Sequence, residues 1–356
     1  KEGHKVLLSD GLIELFVNKV FEDKVECLVT KGGRLRSRAG ISFPDSTINL
    51  PAATDKDLQD IKWGVEQGVD FVAVSFVQNA LDLKKLKEEI NEAKEKVPLI
   101  AKIERKAALE NIEEIAEEAD GIMVARGDLG LELPLEKLPH IQQDLIELGH
   151  LKGIPVIVAT QMLHSMVTSN RPTRAEVTDI AAAVTAGADA LMLSEETAIG
   201  EHPILAVEYL RKIAAEAENV FDHERHIQKL ISTDSTTVPE AVAVAAVAAA
   251  GKIKAAGLVA CTESGNTARL ISKYRPRQII FGVSASETAI RRMCLYAGVM
   301  PISFREPKDH YDELARAIEA VKERINLPPK SRLVLTGGLS VRTPGATSVM
   351  EIREIE

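Results

Sequence analysis

Short apolar runs alternate with charged, amphipathic segments through most of this chain. Five of the runs have the length of a buried strand, and the segments between them have the apolar spacing of helices. The predicted strands comprise residues 70–76, 99–103, 121–125, 155–159 and 189–193. The predicted helices comprise residues 55–67, 80–96, 107–118, 136–151, 174–186 and 203–220. Because strands buried on both faces are almost continuously apolar, this alternation predicts a parallel α/β sheet covered by helices.

The flanking regions have different patterns. Residues 1–45 favour β-strands, and the alternation of Arg34, Arg36 and Arg38 predicts a strand with these side chains on one face, either solvated or facing phosphate. Residues 222–238 are polar and indicate a linker. A smaller α/β region follows. Its predicted helices are residues 239–251, 268–274, 287–296 and 309–325, and its predicted strands are residues 256–260, 278–283, 332–335 and 348–352.

Composition and charge narrow the classes of function. The chain has 356 residues and a formal net charge of −9, without a long basic block, which disfavours binding to nucleic acid or to an anionic membrane. No apolar run is long enough to span a bilayer. The three cysteines are scattered without metal-ligand spacing, which favours a reducing cytoplasm. The chain begins without Met, so we expect an incomplete N-terminus.

Charged residues follow two neighbouring predicted strands. Lys102 and Glu104 stand two residues apart and therefore share a face, and Asp128 follows the next strand. Because the C-terminal ends of parallel strands meet at one edge, Glu104 and Asp128 are expected to converge there. Two carboxylates suit a hard cation such as Mg²⁺, and the lysine suits a substrate anion. Alone, the Lys102–Glu104 motif is also typical of a solvated ion pair, and Arg126-Gly127-Asp128 alone is also typical of a capped turn.

The other strand ends are also polar, at Ser75, Thr160 and the stretch that contains Glu196. Each could simply cap a helix, since Ser, Thr and Asp are preferred there. Gly127 has no Cβ and would let backbone N–H groups approach an anionic ligand closely. A cation, a lysine and exposed amides together suit a reaction in which an enolate or a transferring phosphoryl group develops negative charge.

Five motifs in order along nearly the whole chain resemble those of the pyruvate kinase family. They are Ala101-Lys-Ile-Glu104, Met123-Val-Ala-Arg-Gly-Asp-Leu-Gly130, Ala159-Thr-Gln-Met162, Arg171-Pro-Thr-Arg-Ala-Glu176 and Met192-Leu-Ser-Glu-Glu-Thr-Ala198. The resemblance implies a (β/α)8 TIM-type barrel and the glycolytic transfer of a phosphoryl group from phosphoenolpyruvate to ADP, which gives pyruvate and ATP. It also implies a cytoplasmic homotetramer.

The same resemblance implies residue roles. Lys102 would stabilise the transferring phosphoryl group, Glu104 and Asp128 would bind Mg²⁺ or Mn²⁺, and Gly127 and Asp128 would contact the carboxylate end of the substrate. Thr160 would lie near the enolate carbon and take part in its protonation. By the same comparison, Glu196 would be a catalytic residue beside the groups that deliver this proton.

A phosphate-binding loop is expected in the C-terminal region. Residues 262–267 are mostly small and rich in hydroxyl groups, which is typical of a loop that binds phosphate before a helix. A capped turn without a ligand has the same composition. By resemblance the loop residues bind a sugar-phosphate or nucleotide effector: Thr262, Ser264, Gly265, Asn266 and Thr267. Residues 342–347 resemble a companion effector loop.

The chain also departs from the family pattern. Five barrel strands are found instead of eight, so the barrel is expected to be incomplete, with a partial β lid domain at 1–45, a partial barrel at 46–222 and an α/β effector domain at 223–356. The segments that carry the family's K⁺ ligands and a phosphate-binding arginine have no counterpart. We therefore expect this chain alone to lack a complete site.

Two substitutions leave other interpretations open. Glu195 stands where the family usually has glycine, and Ala182 replaces a usual asparagine. A catalytically silent, effector-binding relative is one alternative. Another is a Mg²⁺-dependent lyase or aldolase that acts on pyruvate-like acids.

Overall fold

The computed structural model describes residues 1–9, 11–46, 53–91, 96–232, 237–338 and 347–355. The chain forms two compact units. The first contains Lys1–Leu145, Val156–Ala183 and Leu191–Lys212. The second contains Ile146–Pro155, Val184–Ala190 and Ile213–Glu356. The three-domain division expected from the sequence stays a prediction.

The first unit begins with a small antiparallel sheet, in agreement with the predicted β-rich start. Its strands are β1 (Lys5–Leu8), β2 (Ile13–Val20), β3 (Val25–Lys31) and β4 (Ile41–Ser42). Their order in the sheet is β3-β2-β1-β4. The predicted strand around Arg34, Arg36 and Arg38 is wrong. That segment is an exposed loop in which Arg38 has a φ of +60°, a left-handed conformation that interrupts an extended strand.

A parallel sheet follows, as predicted. Its strands are β5 (Val72–Val74), β6 (Leu99–Ile103), β7 (Gly121–Ala125), β8 (Val156–Ala159) and β9 (Ala190–Met192). They lie side by side in chain order, and within the described residues the sheet does not close into a barrel. The pairing is in parallel register, with Ile100 opposite Gly121 and Ile122 opposite Val156. The C-terminal ends of the strands therefore share one edge.

Helices connect these strands. They are α1 (Asp55–Glu66), α2 (Ala80–Asn91), α3 (Lys106–Glu110), α4 (Ile112–Glu118), α5 (Arg126–Glu132), α6 (Leu138–Lys152), α7 (Arg174–Ala186), α8 (Glu195–Ala198) and α9 (Pro203–Glu218). Thr54 and Asp57 form a capping box at the start of α1. The single helix predicted over 107–118 is wrong, because Asn111 leaves helical geometry and its side chain donates to the carbonyl of Gln78 at 2.9 Å.

The second unit is an α/β domain with one sheet. Its elements are α10 (His223–Ile231), α11 (Val238–Lys252), β10 (Gly257–Cys261), α12 (Asn266–Lys273), β11 (Ile279–Ser284), α13 (Glu287–Met293), β12 (Val299–Ser303), α14 (His310–Arg324), β13 (Arg332–Gly338) and β14 (Thr347–Glu354). The strand order is β12-β11-β10-β13-β14, and β14 alone is antiparallel to its neighbour. The linker predicted over 222–238 contains helix α10, and β12 was not predicted from the sequence.

Strand alternation divides the core of this unit into two clusters. Leu258 and Val334 belong to the cluster that packs under α11 and α12, whereas Val259 and Leu335 belong to the cluster under α14. Neighbouring residues of β10 and β13 thus face opposite helical layers. This is the arrangement expected for a sheet covered on both faces.

A buried polar cluster lies at the end of α6 in the second unit. The carbonyl of Gly187 accepts hydrogen bonds from His150 Nε2 at 2.8 Å and from Arg275 Nη2 at 2.6 Å. Arg275 also lies 3.1 Å from Asp189. Burial, the nearby charge of Arg275 and the ring of His226 lower the pKa of His150 to about 3. His150 is therefore neutral in the folded unit at ordinary pH.

This depressed pKa predicts a stability that falls with acidification. The unfolded chain takes up a proton at His150 near pH 6.5, and the folded unit does so only near pH 3. Stability is thus fully present above pH 6.5 and is lost at up to about 1.4 kcal/mol per pH unit below it. We expect His150→Gln to be less stable than the parent at pH 7, with a difference that shrinks by pH 5.

Hydrogen exchange of the amides in β10 and β13 measures this difference within the second unit. The control is His140→Gln, at an exposed position of α6. A difference between parent and His150→Gln that stays constant from pH 7 to pH 5 would contradict the prediction.

Among the described residues, none of the helices combines the length and the apolar character needed to cross a membrane.

Candidate active site

Lys102 and Glu104 form an ion pair where β6 ends, and their side chains share a face as the alternation predicts. The distance from Lys102 Nζ to Glu104 Oε1 is 2.7 Å, and Nζ also donates to the hydroxyl of Ser75 at 2.8 Å. Glu104 is only 2% exposed. A buried carboxylate is costly unless it is paired and hydrogen-bonded, and this pair meets that requirement.

The second oxygen of Glu104 is held by the end of the neighbouring strand. The backbone N–H of Phe76 donates to Glu104 Oε2 at 2.7 Å. Phe76 reaches this position with a φ of +57°, and its ring faces the Arg105 guanidinium at 4.9 Å. Left-handed backbone at a non-glycine residue persists only where the surroundings fix it, and such residues concentrate at functional sites.

A cavity of about 170 Å³ lies at this edge of the first unit. Glu104 and Asp128 both line it. The two carboxylates therefore meet at one cavity, as the strand order predicts. Asp128 lies in the first turn of α5. Further lining comes from Phe76 and Arg105 and from the small N-terminal sheet, through Leu7 and the stretch 40–43.

The donor set of this cavity fits a magnesium-like cation. No cluster of three or more His, Cys, Asp or Glu side chains suited to a metal occurs within the described ranges. Two carboxylates suffice for Mg²⁺, because this cation usually keeps several waters and binds one or two carboxylates together with substrate phosphates. Carboxylate oxygens are also the hard donors that Mg²⁺ and Mn²⁺ prefer.

Thr160 and Gly127 are brought together between the ends of β7 and β8. The Gly127 N–H donates to Thr160 Oγ1 at 2.8 Å, so this amide binds a hydroxyl group of the protein. Thr160 and Gln161 have φ values of +70° and +54°. Two consecutive left-handed residues at a strand end mark a constrained segment.

Glu196 is a buried anchor between two loops. It is 1% exposed, and its two oxygens accept backbone N–H groups from Leu163 at 2.9 Å and from Ser194 at 2.8 Å. The neighbouring Glu195 is exposed, and its carboxylate lies 3.2 Å from His164 Nδ1. The two consecutive glutamates therefore have different environments, which their spacing alone does not reveal.

The predicted effector loop makes mostly internal contacts. Thr262 Oγ1 accepts from the Gly265 N–H at 3.0 Å, and Gly265 has a φ of +88° just before α12. Asn266 accepts from Arg269 at 2.7 Å, and Thr267 shares a hydroxyl–hydroxyl bond of 2.6 Å with Thr347. Ser264 is exposed. Of the companion loop at 342–347, all but Thr347 lies outside the described residues.

The environments of three further residues were not identified by sequence reasoning. Arg126 and Asp179 form an ion pair of 2.5 Å in the first unit. In the second unit, burial and the charge of Glu263 raise the pKa of Glu313 to about 7. The partners in each case lie far apart along the chain, so only the folded structure reveals these environments.

Comparison with known proteins gives consistent matches along the chain. A model of the pyruvate kinase barrel domain matches residues 1–207, and a model of the pyruvate kinase alpha/beta domain matches residues 240–353. The pyruvate kinases of Staphylococcus epidermidis and Staphylococcus aureus are each 39% identical over 352 residues. These alignments cover 98% of this chain and 60% of each relative, so the chain spans about three fifths of their length.

The fold and the polar strand ends define an α/β protein of the barrel class with an additional α/β domain. The matches make the assignment narrower: the chain belongs to the pyruvate kinase family. The resemblance read from the sequence motifs is thereby confirmed.

Proposed function

We propose that this chain provides the phosphoryl-transfer site of a pyruvate kinase. The reaction breaks the bond between phosphorus and the enol oxygen of phosphoenolpyruvate and forms a bond between phosphorus and a terminal oxygen of ADP. The enolate that is left takes one proton at its terminal carbon and becomes pyruvate. The observation that carries the proposal is the Lys102–Glu104 pair beside a cavity that Asp128 also lines.

Lys102 would supply positive charge beside this cavity, because its ammonium group pairs with Glu104, which lines the cavity. Its ammonium group is fixed by Glu104 and Ser75, so it is already oriented before a substrate binds. In phosphoryl transfer, catalysis consists mostly of positioning and of neutralising the charge on the transferring group. A fixed ammonium group serves both needs.

Glu104 and Asp128 would hold Mg²⁺ or Mn²⁺. A bound divalent cation neutralises phosphoryl oxygens and stabilises the negative charge of the enolate. A K⁺ requirement is part of the proposal through family resemblance alone, and its ligands are expected outside this chain.

Thr160 is the proposed proton donor to the enolate carbon. Its oxygen accepts a hydrogen bond from Gly127, so the hydroxyl proton is directed elsewhere. Gly127 and Asp128 would contact the substrate carboxylate through groups other than the Gly127 N–H, which is bonded to Thr160. Glu196 is proposed to support the same relay, and its two backbone hydrogen bonds fix it beside the segment that follows Thr160.

Regulation and assembly are also part of the proposal. The loop formed by Thr262, Ser264, Gly265, Asn266 and Thr267 would bind the phosphate of a sugar-phosphate or nucleotide effector at the start of α12. A cytoplasmic homotetramer follows from the family resemblance.

Pyruvate formation from phosphoenolpyruvate and ADP, with Mg²⁺ and K⁺ present, tests the proposed reaction. The assay is run on this chain and on a fusion that supplies the remaining length of the Staphylococcus aureus relative. We expect ADP-dependent turnover in the fusion that disappears when the divalent cation is chelated, and little or no turnover in the chain alone.

Three outcomes would count against parts of this proposal. Full activity of the chain alone would refute its expected incompleteness. A folded fusion that binds effector but never forms pyruvate would favour a silent relative. Carbon–carbon bond cleavage of a pyruvate-like acid without phosphoryl transfer would favour the lyase alternative.

A further inference from the structure

We propose that Arg126 is a positioning residue that holds Thr160 in the orientation needed for proton transfer to the enolate. This inference rests on the proposed function and adds a residue to its proton-transfer step. Arg126 acts through Thr160 and has no assigned contact with the substrate.

The Arg126 guanidinium connects the end of β8 to α7. Its Nη2 donates to the Thr160 carbonyl at 2.8 Å and lies 2.8 Å from the sulfur of Met162. Its Nη1 pairs with Asp179 at 2.5 Å and lies 3.5 Å from Gln142 Oε1. The side chain is only 13% exposed. A planar guanidinium can bond in these directions at once because its donors form a rigid fork.

Arg126 and Gly127 hold Thr160 at two points. Arg126 binds the carbonyl of Thr160, and the next residue, Gly127, donates its N–H to the Thr160 hydroxyl. The backbone and the side chain of one residue are therefore bound by adjacent residues at the start of α5. This arrangement fixes both the position of Thr160 and the rotation of its hydroxyl.

The backbone conformation explains why such a hold is needed. Thr160 and Gln161 are both left-handed, a conformation that persists at non-glycine residues only where the surroundings hold it. Without the bond to Arg126, the carbonyl of Thr160 would lose its charge-assisted partner. The strand end would then relax toward ordinary backbone geometry, and the hydroxyl would move.

Such a movement affects one step more than the others. When the enolate is protonated, the Thr160 O–H bond breaks as a C–H bond forms, and a proton from water restores the hydroxyl. Phosphoryl transfer depends instead on Lys102 and the divalent cation. Misplacement of a reacting group by about 1 Å can cost about 10²-fold in rate.

The test uses the active fusion and three variants. Arg126→Lys keeps the charge but loses the fork, and Asp179→Asn removes the outer anchor of the guanidinium. Asp144→Asn is the matched control, because it makes the same charge change at an exposed position of α6. The first readout is the exchange of pyruvate methyl protons in D2O with Mg²⁺ and ATP present, followed by NMR. The second is the KM for phosphoenolpyruvate.

We expect methyl exchange to fall about 10- to 100-fold in Arg126→Lys and Asp179→Asn, while KM changes less than about threefold. Asp144→Asn should match the parent. Equal losses of methyl exchange and of ATP formation from phosphoenolpyruvate and ADP in a single turnover, or an unchanged exchange rate, would overturn the assigned role.

A second measurement separates this inference from the reaction itself. Hydrogen exchange of the Gly127 amide reports its bond to the Thr160 hydroxyl without any turnover. Faster exchange in Asp179→Asn than in Asp144→Asn supports the two-point hold even if the parent fusion proves inactive. Unchanged exchange in Asp179→Asn and Arg126→Lys would contradict it.

Discussion

Replacement of Lys102 by Met is expected to lower the turnover of phosphoenolpyruvate by about 10³-fold or more. Removing one preorganised charged or hydrogen-bonding group from a transition-state site commonly costs about 10²–10³-fold. Here we expect the larger loss because Lys102 is the cation that pairs with Glu104 among the described residues, whereas the guanidinium of Arg105 lies over the Phe76 ring. The measurement is kcat for pyruvate formation in the active fusion.

Two companion variants keep this test interpretable. Lys102→Met leaves the buried carboxylate of Glu104 without its cation, which destabilises the fold by a few kcal/mol. The double variant Lys102→Met/Glu104→Gln removes the unpaired charge but also removes a proposed metal ligand. It therefore serves only to measure stability, by thermal unfolding beside the single variant. Lys106→Met is the matched control, because the Lys106–Glu110 pair is exposed. Retention of more than about a tenth of the activity in a folded Lys102→Met protein would remove Lys102 from the proposed mechanism.

The sequence predicted which residues meet at the proposed catalytic edge because its information is local there. Lys102 and Glu104 are two residues apart, and the alternation of a strand is sufficient to put them on one face. Asp128 follows the next strand in chain order, and β6 and β7 are neighbours in the sheet. Because these parallel strands are neighbours, Glu104 and Asp128 from two short motifs line the same cavity.

Elements with mixed patterns were missed for physical reasons. Strand β12 contains Pro301, which breaks a ladder of hydrogen bonds but is tolerated because β12 is an edge strand. Helix α10 was predicted as linker because it is mainly polar. Its apolar residues Ile227 and Leu230 nevertheless pack against the core of the second unit. Only the tertiary structure supplies the surface that makes this short helix stable.

Side-chain partners that are distant in sequence were not predictable. Arg126 and Asp179 lie 53 residues apart, and nothing in either motif indicates that one guanidinium binds both Asp179 and the Thr160 carbonyl. The same holds for the hydrogen bond that Glu196 accepts from the backbone N–H of Leu163, which lies 33 residues away along the chain. Sequence reasoning proposed which polar residues act at the strand ends, and the structure identifies the groups that contact them.

Gly187→Ala is expected to destabilise the second unit strongly. A Cβ at this position would lie 2.6 Å from His150 Cε1 and 3.1 Å from His150 Nε2. The φ of Gly187 is +99°, which residues with a Cβ rarely adopt. The neighbours cannot give way cheaply, because His150 and Arg275 are both buried and bonded to the Gly187 carbonyl. Overpacking and backbone strain together predict a loss of about 3–5 kcal/mol.

Gly251→Ala provides the matched control. Gly251 lies in α11, and an added Cβ there meets nothing within 4 Å. Alanine is the better helix former, so this variant should be more stable than the parent by about 0.5–1 kcal/mol. Hydrogen exchange of β10 and β13 amides measures both changes within the same unit and avoids the two-state assumption for a chain of two units. Because the predicted effects have opposite signs, a Gly187→Ala protein as stable as Gly251→Ala would show that the buried histidine can move, and that the polar cluster around the Gly187 carbonyl is not a rigid centre of the second unit.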